Sequence, residues 1–254
     1  MNKKYRDLSP DAVERVYARE RANRRGEKEA DKAARAALHA MSGAYLPVDS
    51  LPRARRCMAA WLAGDRGALA EALRLHASTR ERMGIAEQLY GAIFAACGGR
   101  PASILDLACG FNPLYLGNLG HAVRGVDVHG GAAALVNDWA AAAGWDVRVG
   151  CGDLLSGGPL PVCELALMMK LMPLLEAERK GSAMELLSRV PAKKIAVSFP
   201  TRTLGGRGVG MERHYGQWFE QNLPPGRQIV DRIALPGELT YVVEEVGSCP
   251  GCTS

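Results

Sequence analysis

Apolar positions recur at three- and four-residue intervals through roughly the first hundred residues and nowhere alternate with polar ones over a useful length, which predicts helices throughout 1–97. Breaks are expected near Arg25-Gly26, across 42–47, at Ala63-Gly64-Asp65 and near Ser78-Thr79. From Cys97-Gly98-Gly99-Arg100-Pro101 onward the pattern changes to short apolar runs at 103–107, 122–127, 146–149, 165–168 and 195–199. Helical segments are expected between them at about 113–119, 131–143, 173–189 and 211–221. Strand and helix in alternation predict a parallel sheet covered by helices on both faces. Two further runs, 228–234 and 239–246, are separated only by Leu235-Pro236-Gly237-Glu238, so they should form a hairpin that adds an antiparallel edge. The expected organisation is an N-terminal all-helical domain over 1–97, an α/β domain over 98–248 and a short disordered tail over 249–254.

The helical part has a second pattern, one of charge. Residues 1–82 carry 18 Lys and Arg against 11 Asp and Glu, whereas the remainder carries 14 against 16, so the net charge of +5 sits in the first third of the chain. Lys28, Lys32, Arg35 and His39 recur at intervals of four, three and four and project from one stripe of a helix that begins near Glu27. Ala33, Ala37, Leu38, Ala40 and Met41 are expected on its packed side. A second helix from Asp49 or Ser50 should bury Leu51, Ala54, Cys57, Met58, Trp61 and Leu62 while Arg53 and Arg56 face out. Upstream, Lys3, Lys4, Arg6, Arg15, Arg19, Arg21, Arg24 and Arg25 would extend the cationic edge, with Gly26 breaking the helix. Such an edge suits a phosphate backbone, which asks for charge and reach more than shape.

Composition excludes several alternatives. The chain has 254 residues, 48% hydrophobic and 23% charged, enough for a sizeable core. No apolar run approaches a membrane span and Met1-Asn2-Lys3-Lys4-Tyr5-Arg6 has no signal-peptide core behind it, which leads us to expect a cytoplasmic protein. Seven cysteines at scattered positions do not form a disulfide framework and suit a reducing compartment. Cys249 and Cys252 have CxxC spacing without a second pair, so no metal site is expected.

In an open parallel sheet ligands bind beyond the carboxyl ends of the strands. The first strand leads into Asp106-Leu107-Ala108-Cys109-Gly110-Phe111-Asn112-Pro113, the second ends in Asp127 followed by Val128, and the third is followed by Asp153-Leu154. Asp127 could accept hydrogen bonds from ribose hydroxyls and Asp153 could meet an adenine amino group. A dinucleotide pyrophosphate would want three glycines; this loop has only Gly110 and puts Asp106 beside the ligand, which repels phosphate and suits a cation. S-adenosylmethionine, with its sulfonium and ammonium, fits that series. Ala108, Gly110, Val128, Leu154 and Met169, at the end of the fourth strand, complete the expected pocket. Phe111 and Tyr115 read as core. Lys170, just after that strand, interrupts an apolar stretch and is not expected to be buried without a partner.

At this point the chain resembles the class I S-adenosylmethionine-dependent methyltransferases, and more narrowly the aminoglycoside-resistance 16S ribosomal RNA methyltransferases that act at guanine N7 in the decoding region. The narrower resemblance rests on six separated motifs in order. They are Lys3-Lys4-Tyr5-Arg6, Leu38-His39 with Gly43-Ala44-Tyr45, 75–82, 106–113, Lys170-Leu171-Met172-Pro173-Leu174-Leu175-Glu176, and 198–208. Cys249-Pro250-Gly251-Cys252-Thr253-Ser254 has no counterpart in it. The resemblance implies a seven-stranded Rossmann-like fold and an N-terminal helical domain that binds 16S rRNA in the small (30S) subunit. It implies S-adenosylhomocysteine as product, and a contact from Arg82, with His76 nearby, to the methionine carboxylate. Because neutral guanine N7 has an in-plane lone pair and no proton, no general base is expected. Lys170, Arg202 and Arg207 are expected to position the target, and the chain to work as a monomer. A methyltransferase acting on another RNA position or on a small molecule remains open at this level, as does a non-catalytic ribosome-binding protein.

Overall fold

The computed structural model describes Tyr5, residues 7–201 and residues 210–246. The expected contacts of Lys4, Arg6, Arg202 and Arg207, and the tail with Cys249 and Cys252, lie outside the described residues. Two compact units emerge, one made of 1–84 with 103–159 and the other of 85–102 with 160–254, so they cut across the division expected at residue 97. The strands make one seven-stranded mixed sheet in the order β3-β2-β1-β4-β5-β7-β6.

In the first unit, α1 (Pro10–Asn23) opens with proline at a position whose N–H has no helical partner. After Gly26 in extended backbone comes α2 (Glu27–Leu38), which continues into a π-helical turn over His39–Gly43. The helices α1 and α2 pack through Val13, Val16, Ala34 and Leu38, with Tyr5 and Leu8 added to the same cluster. Then follow α3 (Ser50–Leu62), α4 (Ala68–Leu73) and α5 (Ala77–Arg82). The break expected at Ser78-Thr79 is not there: Arg80 N–H closes a helical bond on the His76 carbonyl at 2.9 Å, and Ser78 and Thr79 lie inside α5. The three parallel strands of this unit are β1 (Ile104–Leu107), β2 (Val123–Asp127) and β3 (Val147–Cys151), with α7 (Asn112–Asn118) and α8 (Gly130–Ala143) in the crossovers. β1 is buried at every position, as a strand covered on both faces must be.

In the second unit, α6 (Ala86–Ala96) precedes β4 (Cys163–Met169) and its parallel partner β5 (Ala192–Pro200). The helix expected over 173–189 is two helices, α9 (Met172–Glu178) and α10 (Ser182–Arg189), because the backbone leaves the helical path at Arg179, which is extended (φ −154°, ψ 121°), and turns through Gly181 with a left-handed φ of 84° before α10 starts. After α11 (Met211–Asn222), β6 (Arg227–Leu235) and β7 (Glu238–Glu245) form the expected hairpin, turning at Gly237 with φ 87°. The second arm β7 pairs antiparallel with β5, and β6 is the outer strand.

The five described cysteines are free thiols. No helix among the described residues is long and apolar enough to cross a membrane.

Candidate functional site

The carboxyl ends of β1, β2 and β3 in the first unit bring together most of the expected cofactor residues. Beyond β1 the backbone is left-handed at Ala108 (φ 55°) and again at Gly110 (φ 51°), which folds the loop sharply into α7. The N–H groups of Ala108 and Cys109 both donate to the Val126 carbonyl, at 2.8 and 3.3 Å. Only glycine fits at 110, since a Cβ there would stand 2.5 Å from His76 Nε2.

Asp127 ties that loop to the next one. Its Oδ2 accepts from Gly110 N–H and its Oδ1 from His129 N–H, both at 2.8 Å. Each carboxylate oxygen has a second lone pair for a hydroxyl donor. Burial raises its pKa, against the lowering by these two backbone donors. Asp106 is 1% exposed and accepts from Asn112 Nδ2 at 2.6 Å. Burial pushes its carboxyl up to about 7, although the Asn112 hydrogen bond and the nearby Arg82 guanidinium pull the other way. Arg82 is itself buried on α5 and donates to Ser78 Oγ at 3.2 Å. A carboxyl about half protonated near pH 7 is poised to ionise fully when a cation arrives.

His76 does not carry the charge that a carboxylate contact would use. Its ring stacks on Tyr45 and tilts against Phe111, with centroids 6.2 and 5.7 Å away, and burial followed by the charge of Arg82 lowers its pKa to about 3. Its Nδ1 is buried without a hydrogen-bond partner. The neutral imidazole shapes the Gly110 loop, and any contact it makes to a carboxylate is a hydrogen bond and not an ion pair. Phe111 is fully buried, as expected of core.

The third acid differs from expectation in its neighbours. Asp153 Oδ2 lies 2.5 Å from Arg15 Nε, its Oδ1 lies 3.4 Å from the same guanidinium, and Leu155 N–H donates to Oδ1 at 3.1 Å. Arg15, expected on the cationic edge, is turned to this carboxylate and leaves that edge. Val128, beside the pocket, gives its carbonyl to Ser9 N–H at 2.7 Å, and Leu154 is half-buried.

In the second unit, Met169 ends β4 in a buried position and Lys170 follows it with a left-handed φ of 56°. Lys170 N–H reaches both the carbonyl and the Oγ of Ser198 at 3.0 Å. Its Nζ lies 3.4 Å from Oε2 of Glu238, a residue 1% exposed whose Oε1 accepts from Ser198 Oγ at 2.6 Å. The expected partner of Lys170 is therefore Glu238, at the start of the hairpin's second arm. Neither Glu238 nor Ser198 was marked by a sequence signal beyond its place next to a turn or a motif.

On α2 and the turn after it, Lys28, Lys32, Arg35 and His39 are all exposed. The packed side is Ala30, Ala34 and Leu38; Ala33, Ala37 and Met41 are only half-buried and Ala40 is exposed. On α3, Arg53 and Arg56 face out and Ala54 and Trp61 are buried as expected, but Leu62 is exposed and Leu51, Cys57 and Met58 are half-buried. Arg35 pairs with Asp31 and Arg53 lies 3.6 Å from Asp49, each one helical turn away. Both pairs are exposed and so open to exchange with a phosphate.

A family model described as Ribosomal RNA methyltransferase (FmrO) matches residues 1–242. A protein of Serratia marcescens named 16S rRNA (guanine(1405)-N(7))-methyltransferase is 43% identical over 247 residues, covering 97% of this chain and 95% of that protein. One of the same name from Frankia casuarinae is 33% identical, covering 95% and 89%. The crystal structure of the 16S rRNA methyltransferase RmtF in complex with S-adenosyl-L-homocysteine superposes with a TM-score of 0.89 at 46% identity, over 95% of this chain and 93% of that one. The 16S rRNA methylase RmtB gives 0.85 at 39% identity, over 96% and 94%. A match that begins with the basic helices and runs into the second arm of the hairpin takes in both the cationic edge and the carboxylates beyond β1 to β3, and on it the chain belongs to the FmrO family of ribosomal RNA methyltransferases.

Proposed function

We propose that this chain is an enzyme that transfers a methyl group from S-adenosylmethionine to N7 of a guanine in the decoding region of 16S rRNA, releases S-adenosylhomocysteine, and thereby confers aminoglycoside resistance. The observation that carries the reading is the left-handed Gly110 loop tied to Asp127 beside a buried Asp106, in a chain whose family match runs from residue 1 to 242. These residues fit the cofactor. A Cβ at Gly110 would strike the His76 ring, so the loop keeps its backbone bare there, and the acids around it favour a cation over a phosphate.

When bound, the cofactor supplies an electrophilic methyl group on a sulfonium. In our reading Asp127 holds the ribose hydroxyls through its free lone pairs and Asp106 compensates the cationic end of the ligand. Arg82, with His76 as neutral neighbour, receives the methionine carboxylate. Ala108, Gly110, Val128 and Leu154 wall the pocket, and Asp153 faces the adenine. Guanine N7 attacks through its lone pair, so no residue has to remove a proton, and the protein contributes alignment and exclusion of water. A guanine in structured RNA must first leave its stack. Lys170, held by Glu238, together with Arg202 and Arg207, positions the extruded nucleotide through charge. Lys4, Arg6, Lys28, Lys32, Arg35, His39, Arg53 and Arg56 grip the RNA backbone, so that 1–97 serves as the RNA-binding region and 98–248 as the methyltransferase region. The small (30S) subunit is the partner and the chain works as a cytoplasmic monomer.

Incubating purified chain with small subunits and radiolabelled S-adenosylmethionine tests this. Label should enter 16S rRNA with the wild type and fall sharply with Asp127→Ala. Binding to subunits with no label transferred would overturn the enzymatic reading.

A further inference from the structure

We propose that Arg15 is a positioning residue for the cofactor's adenine: it fixes the Asp153 carboxylate so that the remaining lone pair faces the adenine amino group. The proposal rests on the reading of Asp153 given above and adds a residue from outside the α/β sheet to the recognition of the ligand.

A carboxylate has about four lone-pair directions. At Asp153 three are engaged, by Arg15 Nε at 2.5 Å, by Arg15 Nη2 at 3.4 Å and by Leu155 N–H at 3.1 Å. The side chain of Asp153 is 5% exposed and that of Arg15 25%, so solvent competes little for the pair. A guanidinium has a rigid planar fork, and two of its nitrogens on one carboxylate set the orientation of the carboxylate plane as well as its charge. Without Arg15 the carboxylate could rotate and would be buried with less compensation.

The position of Arg15 is itself held. The segment leading into α1 is pinned to the loop after β2 by two main-chain hydrogen bonds, Ser9 N–H to the Val128 carbonyl at 2.7 Å and Gly130 N–H to the Asp7 carbonyl at 2.6 Å, which together make an antiparallel bridge between Leu8 and His129. Pro10 then starts the helix and delivers Arg15 in its second turn. The strap thus lies against the residues that flank Asp127, and the same helix reaches Asp153. An arginine serving RNA phosphates would be exposed and unattached to the pocket, as Arg53 and Arg56 are.

The test is calorimetric binding of S-adenosylhomocysteine and of its 6-oxo analogue, S-inosylhomocysteine, to the full chain. The analogue replaces the amino donor by an acceptor. Wild type should prefer the amino form by roughly tenfold or more, as loss of one hydrogen bond to a charged group implies. Asp153→Asn should nearly abolish that preference, because an amide can turn its donor toward the oxo group. Arg15→Gln should reduce it to a similar extent, and Arg15→Lys should restore only part of it, since a point charge lacks the fork. A general loss of affinity with the preference intact would overturn the proposal, because a merely structural Arg15 affects both ligands alike. No preference in the wild type would overturn the underlying reading of Asp153. Preference lost in Asp153→Asn but kept in Arg15→Gln would overturn the role of Arg15 alone. Should Arg15→Gln fail to fold, Arg15→Lys decides: full wild-type preference in it contradicts the proposal.

Discussion

Replacing Asp106 by asparagine should make the protein more stable and its cofactor binding weaker, and the size of the first effect follows from burial. The carboxyl is 1% exposed and burial raises its pKa from 3.8 to about 7. A folded-state pKa above the unfolded one means that the folded protein holds the proton more tightly. The penalty for ionising the carboxyl is therefore absent below the unfolded pKa, grows as pH rises and is complete above the folded pKa. Three pKa units at 1.36 kcal/mol each give a penalty of about 4 kcal/mol at alkaline pH, of which more than half develops between about pH 5 and pH 8.5. The amide keeps an oxygen to accept from Asn112 Nδ2 and cannot ionise. Any fixed cost of the new NH2 group is the same at both pH values, and groups such as His76 titrate in both proteins, so the difference between variant and wild type isolates Asp106. Denaturant unfolding should show the stability of Asp106→Asn relative to wild type rising by about 3 kcal/mol over that range. Calorimetry of S-adenosylmethionine binding near pH 7, in buffers of different ionisation heat, should show proton release with wild type and much less with the variant. Wild-type affinity should also increase as pH rises through 7. A stability difference that does not change with pH, with no proton release on binding, would refute the argument.

Three further outcomes follow from the same geometry. Lys170→Ala leaves the carboxylate of Glu238 buried without its lysine and should lower stability by about 3 kcal/mol. In folded protein it should slow single-turnover transfer with S-adenosylhomocysteine affinity nearly unchanged; an equal loss of that affinity would contradict a role at the target. Replacing Arg35, His39, Arg53 and Arg56 together by alanine should weaken small-subunit binding and flatten its salt dependence by roughly two to three units of log slope, leaving calorimetric cofactor affinity intact. The single-turnover rate with saturating cofactor and RNA should show no ionisation of an essential base between about pH 6 and 9. A tenfold rise per pH unit, removed by one pocket mutation, would point to a target that must lose a proton.

Much of the fold was legible because strand interiors and turns impose strong local rules. Short apolar runs set off by polar residues, glycine or proline marked all seven strands, and Pro236-Gly237 marked the hairpin. That Asp106 and Asp127 share one site was legible because the ends of successive parallel strands converge in space. The misreadings came where local signals are weak. Four alanines around Ala34 and Ala37 give little contrast between faces, so the packed stripe of α2 was displaced onto its flank. Over 173–189 the break was read through because nothing local marks Arg179 as extended, and one glycine inside a periodic segment does not show in sequence that it is left-handed. Ser78 and Thr79 looked like breakers, but the chain actually turns at His76, where the backbone is extended with ψ 124°. Arg15 was not legible at all: its partner is 138 positions away, and an arginine on a helix gives the same local pattern whether it meets a phosphate or a buried aspartate.

The central claim, methyl transfer to guanine N7 in the decoding region, is tested most directly on 16S rRNA extracted from small subunits after incubation with the purified chain and S-adenosylmethionine. The RNA is treated with the reduction and aniline chemistry that cleaves at 7-methylguanine and mapped by primer extension. The account predicts one new stop, at a decoding-region guanine, that requires cofactor and is lost with Asp127→Ala. Methyl incorporation without chemical cleavage at any guanine, or cleavage outside the decoding region, would contradict it.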